Sequence, residues 1–460
     1  MRQIIIHIAT AALLCGCSVY RNFDCPEIAT DSLYRDAYSP NVVTDTVSLG
    51  DLSWREMFRD PKLQQLISQG IASNVDLQSA QLRVEQAAAT LMSARLAFVP
   101  SFTLSPEGAL SRYDGSTTKT YGIPLAASWE VDIFGSLRNA KQRSKAVLAQ
   151  SKAYRQAVQT QLVATIADGY YTLLMFDRQL AISRRTAENW KESVETMRSL
   201  KEAGIANEAA VTQSEASYRS VRASIPDLEY RIRETENALC SVLGQTPQKI
   251  DRGTWRTLEL PGAIATGIPL RLLSARPDIK QAEMALASAY YTTNEARATF
   301  YPRITINGTG SWTNNAGAVI ANPGKLLLSA VGSLVQPIFN RGLNRAKLRV
   351  AKAQQQEALL EFQQSLLNAG EEVSNACYRY TQSERKLAER REQLVALHGS
   401  VAATQELMRN GDATYLEVLT AQQSLLAAQL SESEDEFEQV AALVSLYRAL
   451  GGGREIEAQP

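Results

Sequence analysis

The chain has 460 residues, of which 45% are hydrophobic and 21% charged, and its 48 basic and 48 acidic side chains leave a formal net charge of zero. That balance offers no electrostatic footprint for nucleic acid, which is excluded as a partner. The two histidines, His7 and His398, leave almost no raw material for a metal centre or a histidine-based catalytic triad.

Arg2 followed by the apolar stretch Ile4 to Leu14 reads as an export signal over residues 1–16, too short to span a membrane as a mature helix. It runs into Leu14-Cys15-Gly16-Cys17, which resembles a bacterial lipobox. The resemblance implies cleavage before Cys17, an S-diacylglycerol on its thiol and an N-acyl chain such as palmitate on the new amine. Under the same resemblance the non-acidic Ser18 favours the outer membrane over the inner one. One lipidated terminus anchors firmly only with a second membrane contact. The alternative is an ordinary signal peptide that happens to contain cysteines. Of the other thiols, Cys25, Cys240 and Cys377 lie too far apart for a disulfide framework and are expected to be small buried side chains.

Residues 17–53 lack periodicity, contain Pro26 and Pro40, and read as an extended tether. Asp60-Pro61 is an N-cap and first-turn pair that predicts a helix start. Leu63, Leu66, Ile67, Ile71, Leu77 and Leu82 follow at helical spacing, interrupted at Ser73-Asn74 and ending near Val99-Pro100.

Alternating segments come next. Phe102, Leu104 and Ala109 alternate imperfectly with polar residues; Tyr121, Ile123, Leu125, Ala127 and Trp129 alternate with small or polar ones; Arg112 to Ser116 supplies the turn. A second, cleaner pair places Ile304, Ile306, Gly308, Gly310 and Trp312 on one face, with a return strand at about Lys325 to Gln336 after Asn322-Pro323-Gly324. Strands of about ten residues, apolar on one face and ending near an aromatic, match the wall of an outer-membrane barrel. An amphipathic hairpin in a soluble sandwich alternates identically. If the strands do span a membrane, four per chain leave open edges that lipid does not tolerate, so several chains must share one barrel.

The remaining mass is long helix. From Leu137 to Ala203 there is no proline and a single glycine, Gly169, which at 1.5 Å per residue predicts a helix on the order of 100 Å. Leu343 to Asn410 matches it. Return helices run from about Glu208 to Leu243, with Pro226 inside, and from Thr414 to Leu450. Gly204 and Gly411 suit the left-handed position that ends a helix.

These elements occur twice. Phe98-Val99-Pro100 is echoed by Phe300-Tyr301-Pro302, Ile133-Phe134 by Ile338-Phe339, and Met197 to Gly204 by Gln405 to Gly411. The repeat unit is about 200 residues, far longer than a solenoid repeat. The chain therefore divides into a first repeat at 54–250, a linker at 251–269, a second repeat at 270–450 and a tail at 451–460.

Trp54-Arg55-Glu56-Met57-Phe58-Arg59-Asp60-Pro61-Lys62-Leu63, Ser128-Trp129-Glu130-Val131-Asp132-Ile133-Phe134-Gly135, and Gly267 to Ile279 with its Arg276-Pro277-Asp278-Ile279 core resemble the signatures of TolC-like outer-membrane efflux factors. The Arg-Pro-Asp-Ile core and the lipobox resemble the lipoprotein branch serving resistance–nodulation–division pumps. The resemblance implies a mainly α protein with a small β part, and a homotrimer. Each protomer would give four strands to a shared twelve-stranded transmembrane β-barrel and its helical hairpins to a periplasmic α-barrel. Gly204 and Gly411 would lie at the tips that meet a periplasmic adaptor protein, which joins the duct to an inner-membrane pump. In this family acidic residues on the second return helix narrow the closed tip. Here the sequence reads Gly411-Asp412-Ala413-Thr414-Tyr415-Leu416-Glu417-Val418-Leu419-Thr420, so Glu417 occupies one such position and Asp412 is a neighbouring candidate. Thr420 stands where an aspartate is usual. Glu417 as a plain solvated residue is the competing reading.

The expected function is a passive exit duct of a tripartite efflux system, not an enzyme and without a cofactor beyond the lipid on Cys17. A periplasmic coiled-coil lipoprotein acting as a scaffold is the alternative from another class; the duct of a type I protein secretion system is the alternative within the same class. Glu130 and Asp132 lack any accompanying nucleophile or cofactor loop and are expected to help turn strand into helix. The lumen residues are too generic to choose among drugs, metal ions and secreted protein as cargo.

Overall fold

A computed structural model describes residues 20–26, 49–255, 276–313 and 325–453. Cys17, the export signal, the inter-repeat residues 256–275 and the tail beyond Gly453 lie outside the described residues. The chain is mainly helical with one small antiparallel sheet. In order it forms α1 (Trp54–Met57), α2 (Pro61–Ser73), α3 (Val75–Leu96), β1 (Ser101–Leu104), β2 (Glu107–Tyr113), β3 (Ser116–Val131), α4 (Ser136–Glu202), α5 (Glu208–Val242), α6 (Pro277–Ala298), β4 (Arg303–Thr313), β5 (Lys325–Val335), α7 (Leu343–Asn410) and α8 (Tyr415–Ala449). The long helices and their returns match expectation to within a residue or two. The short α1 was not foreseen; a capping box between Ser53 and Glu56 starts it. Two compact units divide the chain. One takes residues up to Ile28, Gln81–Ala153 and Lys280–Ser365; the other takes Ala29–Ala80, Tyr154–Ile279 and Leu366 onward.

The first unit holds the sheet, ordered β1-β3-β4-β5, with β2 also paired to β3. The first outgoing strand, expected to be single, is two pieces. Pro106 has no N–H to offer the ladder, and the chain breaks at Ser105-Pro106 before resuming against the same partner. Asp114 and Gly115, at φ 44° and 76°, make the two-residue turn into β3. At the strand-to-helix corner Asp132 accepts hydrogen bonds from Leu137 N (3.0 Å) and Arg138 N (2.8 Å), the unpaired amides that open α4. The Trp129 indole donates to the Phe98 carbonyl at 3.0 Å, and Phe134 stacks on Tyr301 at 5.0 Å. The Ser128-to-Gly135 signature is thus a corner.

The second unit holds the main core, in which Trp54, Phe58, Leu63 and Ile67 pack on Ile166, Tyr170 and Leu173 of α4 and on Leu443 and Tyr447 of α8. Asp60 uses one carboxylate oxygen to cap α2 through Lys62 N (2.9 Å) and the other to accept the Tyr170 hydroxyl (2.6 Å). Gly169 is the one glycine of α4 because a Cβ there would stand 2.7 Å from the Leu239 side chain of α5. Arg252 is forked onto Asp177 (2.5 and 2.9 Å), which fixes the start of the inter-repeat segment. The buried Arg276 donates to the last carbonyl of α8, Ala449 O, and to Asp278 (2.8 Å) and Glu372 (2.6 Å). The Arg-Pro-Asp core therefore closes a helix C-terminus. Cys240 is buried as expected. Cys25 is exposed, against expectation, because the strand of chain that carries it lies on the surface of a helix.

Between helices the unit relies on ion pairs. Asp435 of α8, 3% exposed, meets Lys386 and Arg390 of α7, each at 2.7 Å. Arg178 of α4 reaches Glu432 (2.9 Å) and Glu436 of α8. Removing a buried partner strands its opposite charge, so Asp435→Ala is expected to cost about 2–4 kcal/mol, discounted because Lys386 is half exposed. Thermal unfolding of the purified protein reads this, with Asp435→Asn falling between the two.

Asp168 of α4 has a buried oxygen, Oδ1, with no hydrogen-bond partner among the described residues. Burial raises its carboxyl to about 6, with Arg448 and Arg379 pulling the other way. The folded chain therefore holds this proton at a pH where the unfolded chain has lost it. The burden of burying the charge is absent below about pH 4, grows between pH 4 and 6, and is complete above. Asp168→Asn removes it. The melting temperature of the variant should match the parent near pH 4, exceed it increasingly up to about pH 6 and keep a constant margin above.

Candidate functional site

Register decides what the sheet presents. Ile123 pairs with Trp312, Leu125 with Gly310, Ala127 with Gly308 and Trp129 with Ile306. Directly opposed residues share a face, so these eight form one apolar surface, which Phe102 and Leu104 extend on β1 and Leu328, Ala330 and Leu334 extend on β5. The reverse face pairs Ser128 with Asn307, joined at 2.8 Å, and Thr305 with Ser333, joined at 2.5 Å. The apolar face is open: Phe102 is 69% exposed, Trp312 50% and Leu328 74%. A contiguous apolar surface of this extent is not stable against water and marks a membrane or protein contact. Trp129 and Trp312 sit six rungs apart on this face, about 20 Å at ~3.3 Å per residue. Both outer edges of the sheet lack a partner strand among the described residues.

The second candidate site is the pair of helical tips. At the first, Gly204 N donates to Lys201 O and Ile205 N to Leu200 O; at the second, Gly411 N donates to Met408 O and Asp412 N to Leu407 O. Both are Schellman closures with the glycine left-handed, at φ 74° and 86°. The backbone is the same, and the residue that follows the glycine is apolar Ile205 in one and acidic Asp412 in the other. The first return helix is capped by Asn207, which accepts from Ala210 N at 2.9 Å. The second starts at the N-cap Thr414, whose amide donates to the carboxylate of Glu417 at the third helical position (2.7 Å), a capping box.

Glu417 and Thr420 lie on one exposed face of α8 with Leu416, while Val418 and Leu419 are turned inward. Leu419 packs on Trp190 and Ala187 of α4 and Val221 of α5. One turn further, Gln423 donates to Ser217 of α5 at 3.0 Å, beside an open groove of about 430 Å³. Thr420 spends its hydroxyl on the Leu416 carbonyl at 2.8 Å, so it presents a methyl group and an acceptor rather than a charge. Asp412, Glu417 and Thr420 thus share the second tip, and Gly204 closes the first. Sequence reasoning missed the Arg178, Lys386 and Arg390 contacts with Glu432, Asp435 and Glu436. The signal was present in the acidic run Glu432 to Glu438, but it reads as a solvated face until its basic partners on other helices are known.

Among the described residues no helix is long and apolar enough to cross a membrane, and no group of three or more His, Cys, Asp or Glu is placed to hold a metal ion. A family model described as outer membrane efflux protein matches residues 66–245 and 268–452. The chain is 27% identical to the cation efflux system protein CusC of Escherichia coli O6:H1, over 98% of both proteins. It is 29% identical to the probable outer membrane lipoprotein SilC of Salmonella typhimurium, again over 98% of both. The solved outer-membrane channel OprN superposes with a TM-score of 0.85 at 28% identity, covering 95% of this chain and 100% of the other.

At Gly411 a Cβ would meet nothing within 4 Å, so only backbone strain opposes a side chain. Gly411→Ala should loosen the second tip by about 1 kcal/mol. Gly411→Asn, which tolerates the left-handed region, should not. Hydrogen exchange checks this: the amide of Asp412 should exchange about fivefold faster in the alanine variant only.

Proposed function

The chain belongs to the outer membrane efflux protein family, and on that premise we propose that it forms the trimeric exit duct of a tripartite efflux system. It lies in the bacterial outer membrane with a large periplasmic part, and it conducts cargo passively from an inner-membrane pump through a periplasmic adaptor protein to the outside. The observation that carries the reading is the sheet: a contiguous apolar stretch of one face from Phe102 through Leu125 and Trp312 to Leu328, a reverse face that carries Ser128, Thr305, Asn307, Thr309 and Ser333, and two edges without a partner strand among the described residues. Four staves from each of three protomers give twelve, a number at which barrels enclose a wet lumen. The helical hairpins of the two repeats then make six helix pairs, an α-barrel built by duplication within each chain.

In this reading residues 1–16 are removed on export, and Cys17 carries the lipid that begins the tether at 17–53. The repeats at 54–250 and 270–450 each supply a helix, a hairpin and a long helical hairpin, joined by 251–269 and ended by the tail at 451–460. Gly204 and Gly411 close the tips that meet the adaptor. Glu417, with Asp412, is the acidic element of the closed end. Three copies of Glu417 around a narrow opening repel one another and favour cations. Thr420 beside it holds no charge, which concentrates the gate on Glu417. Nothing is catalysed; the energy comes from the pump.

Channel assembly is tested by heat-modifiable migration on gels and by single-channel conductance in planar bilayers; a soluble monomer after delipidation would overturn it. The gate is tested by two variants. Glu417→Ala removes both the charge and the capping-box partner of Thr414. Glu417→Gln removes the charge and keeps the cap. Both should raise closed-state conductance and sensitivity of cells to vancomycin. An effect of the alanine variant alone assigns the phenotype to the cap and removes Glu417 as a charge gate.

A further inference from the structure

Both long helices start against their own dipole. Anionic side chains are favoured in a first turn, yet α4 and α7 carry none there, and each has an arginine as its third residue, Arg138 and Arg345. The bias continues down both helices. No Asp or Glu occurs between Asp132 and Asp168, or between Glu295 and Glu357. On α4 the exposed cations are Arg138, Lys141, Lys145 and Lys152. At 3.6 residues per turn they fall on one stripe about 60° wide. On α7 the exposed Arg345, Arg349 and Lys352 form a stripe of the same width. Arg345 and Lys352 stand 207 positions after Arg138 and Lys145, so the two repeats present the same pair. None of these seven cations is in an ion pair among the described residues, whereas Arg143, on another side of α4, is held by Glu295 at 2.7 Å. A merely solvated helix face interleaves bases with acids, as the far part of α4 does with Glu188, Lys191, Glu192, Glu195 and Arg198.

One chain of contacts fixes which side the α4 stripe faces. Trp129 belongs to the apolar face of the sheet, opposite Ile306. Its indole donates to the Phe98 carbonyl at 3.0 Å, and the Lys141 ammonium stands over the Phe98 ring, 5.6 Å from its centre. The basic stripe therefore continues from the apolar face, on the same side of the chain. The second repeat makes the same joint: Gln336, 207 positions after Trp129, donates to the Phe300 carbonyl at 2.8 Å. We propose that these stripes form a collar that binds the headgroups of anionic phospholipids in the periplasmic leaflet of the outer membrane. This rests on the reading of the sheet as the membrane-spanning part. A lipid phosphate accepts bidentately from an arginine fork and meets lysine as a point charge. Arg138, Lys141 and Lys145 lie within about 10 Å along the helix, the depth over which a charged leaflet acts. Lys152 is about 20 Å from Arg138, more than two Debye lengths at physiological salt. Each cation near such a surface strengthens the contact about fivefold. Three chains with two repeats each give six stripes, which hold the apolar face at one depth.

The test uses the full chain, purified as the assembled channel and reconstituted into phosphatidylcholine vesicles. The vesicles carry a trace of spin-labelled phosphatidylglycerol or of spin-labelled phosphatidylcholine, and the motionally restricted fraction of each label reports the lipid held at the protein. The parent should hold phosphatidylglycerol about threefold or more over phosphatidylcholine at about 20 mM salt, and the preference should fall towards one at about 1 M. Arg138→Gln with Lys141→Gln and Lys145→Gln should roughly halve the preference. Adding Arg345→Gln, Arg349→Gln and Lys352→Gln should abolish it, and Lys152→Gln alone should leave it unchanged. Single-channel conductance shows in each sample that the channel has formed. A parent that never inserts overturns the membrane reading and the collar with it. A conducting parent with no preference for phosphatidylglycerol, or with a preference that ignores salt, overturns the collar alone, and this arm needs no variant. A conducting six-site variant that keeps the parent's preference overturns it as well.

Discussion

A β-sheet cannot end in lipid. Every strand edge carries unpaired N–H and C=O groups, and hydrocarbon supplies no partner for them. In this chain the edges belong to β1–β2 on one side and β5 on the other, and the face between them is apolar from Phe102 to Leu334. The apolar face calls for lipid, while the edges forbid a lone chain from entering it. Trimeric assembly resolves the two demands together, and most of the proposed architecture follows from that requirement.

The helical part is under a different constraint. Long helices with small, polar surfaces bury little apolar area per turn, so the main apolar core is confined to the region around Trp54, Tyr170 and Tyr447. Beyond it α8 is held by charge: Asp435, Glu432 and Glu436 against Lys386, Arg390 and Arg178. Nearer the tip the holding contacts are the Leu419 cluster, the buried Val418 and the bond from Gln423 to Ser217. Holding thus thins along the helix towards Glu417. Elements that move are drawn from regions with few buried contacts, which suits the second tip to gating.

Two of the three family signatures turned out to be joints. Asp132 opens α4 by accepting from two of its free amides, and Arg276 helps close α8 by donating to its Ala449 carbonyl. Each sits where a helix end would otherwise leave backbone groups unpaired inside the protein.

Much was legible from residues alone. The breaks at Ser73-Asn74, Gly204 and Gly411, the helix start at Asp60-Pro61 and the alternation of β3 and β4 depend on local backbone preference and on periodicity, and both act within a few residues. The division of the first strand at Pro106 was equally local and was missed because its partner had to be known before the gap could be seen. The exposure of Cys25, the seat of Lys141 over Phe98, and the charge cluster around Asp435 join residues far apart in the chain. No spacing rule encodes such contacts. The sequence by itself determined the elements, their order and the chemistry of each tip, because helix caps, turns and alternation are short-range. Only the tertiary structure decided which charges are buried, which apolar side chains share a face and on which side the basic stripe lies, because those depend on which elements pack and in what register.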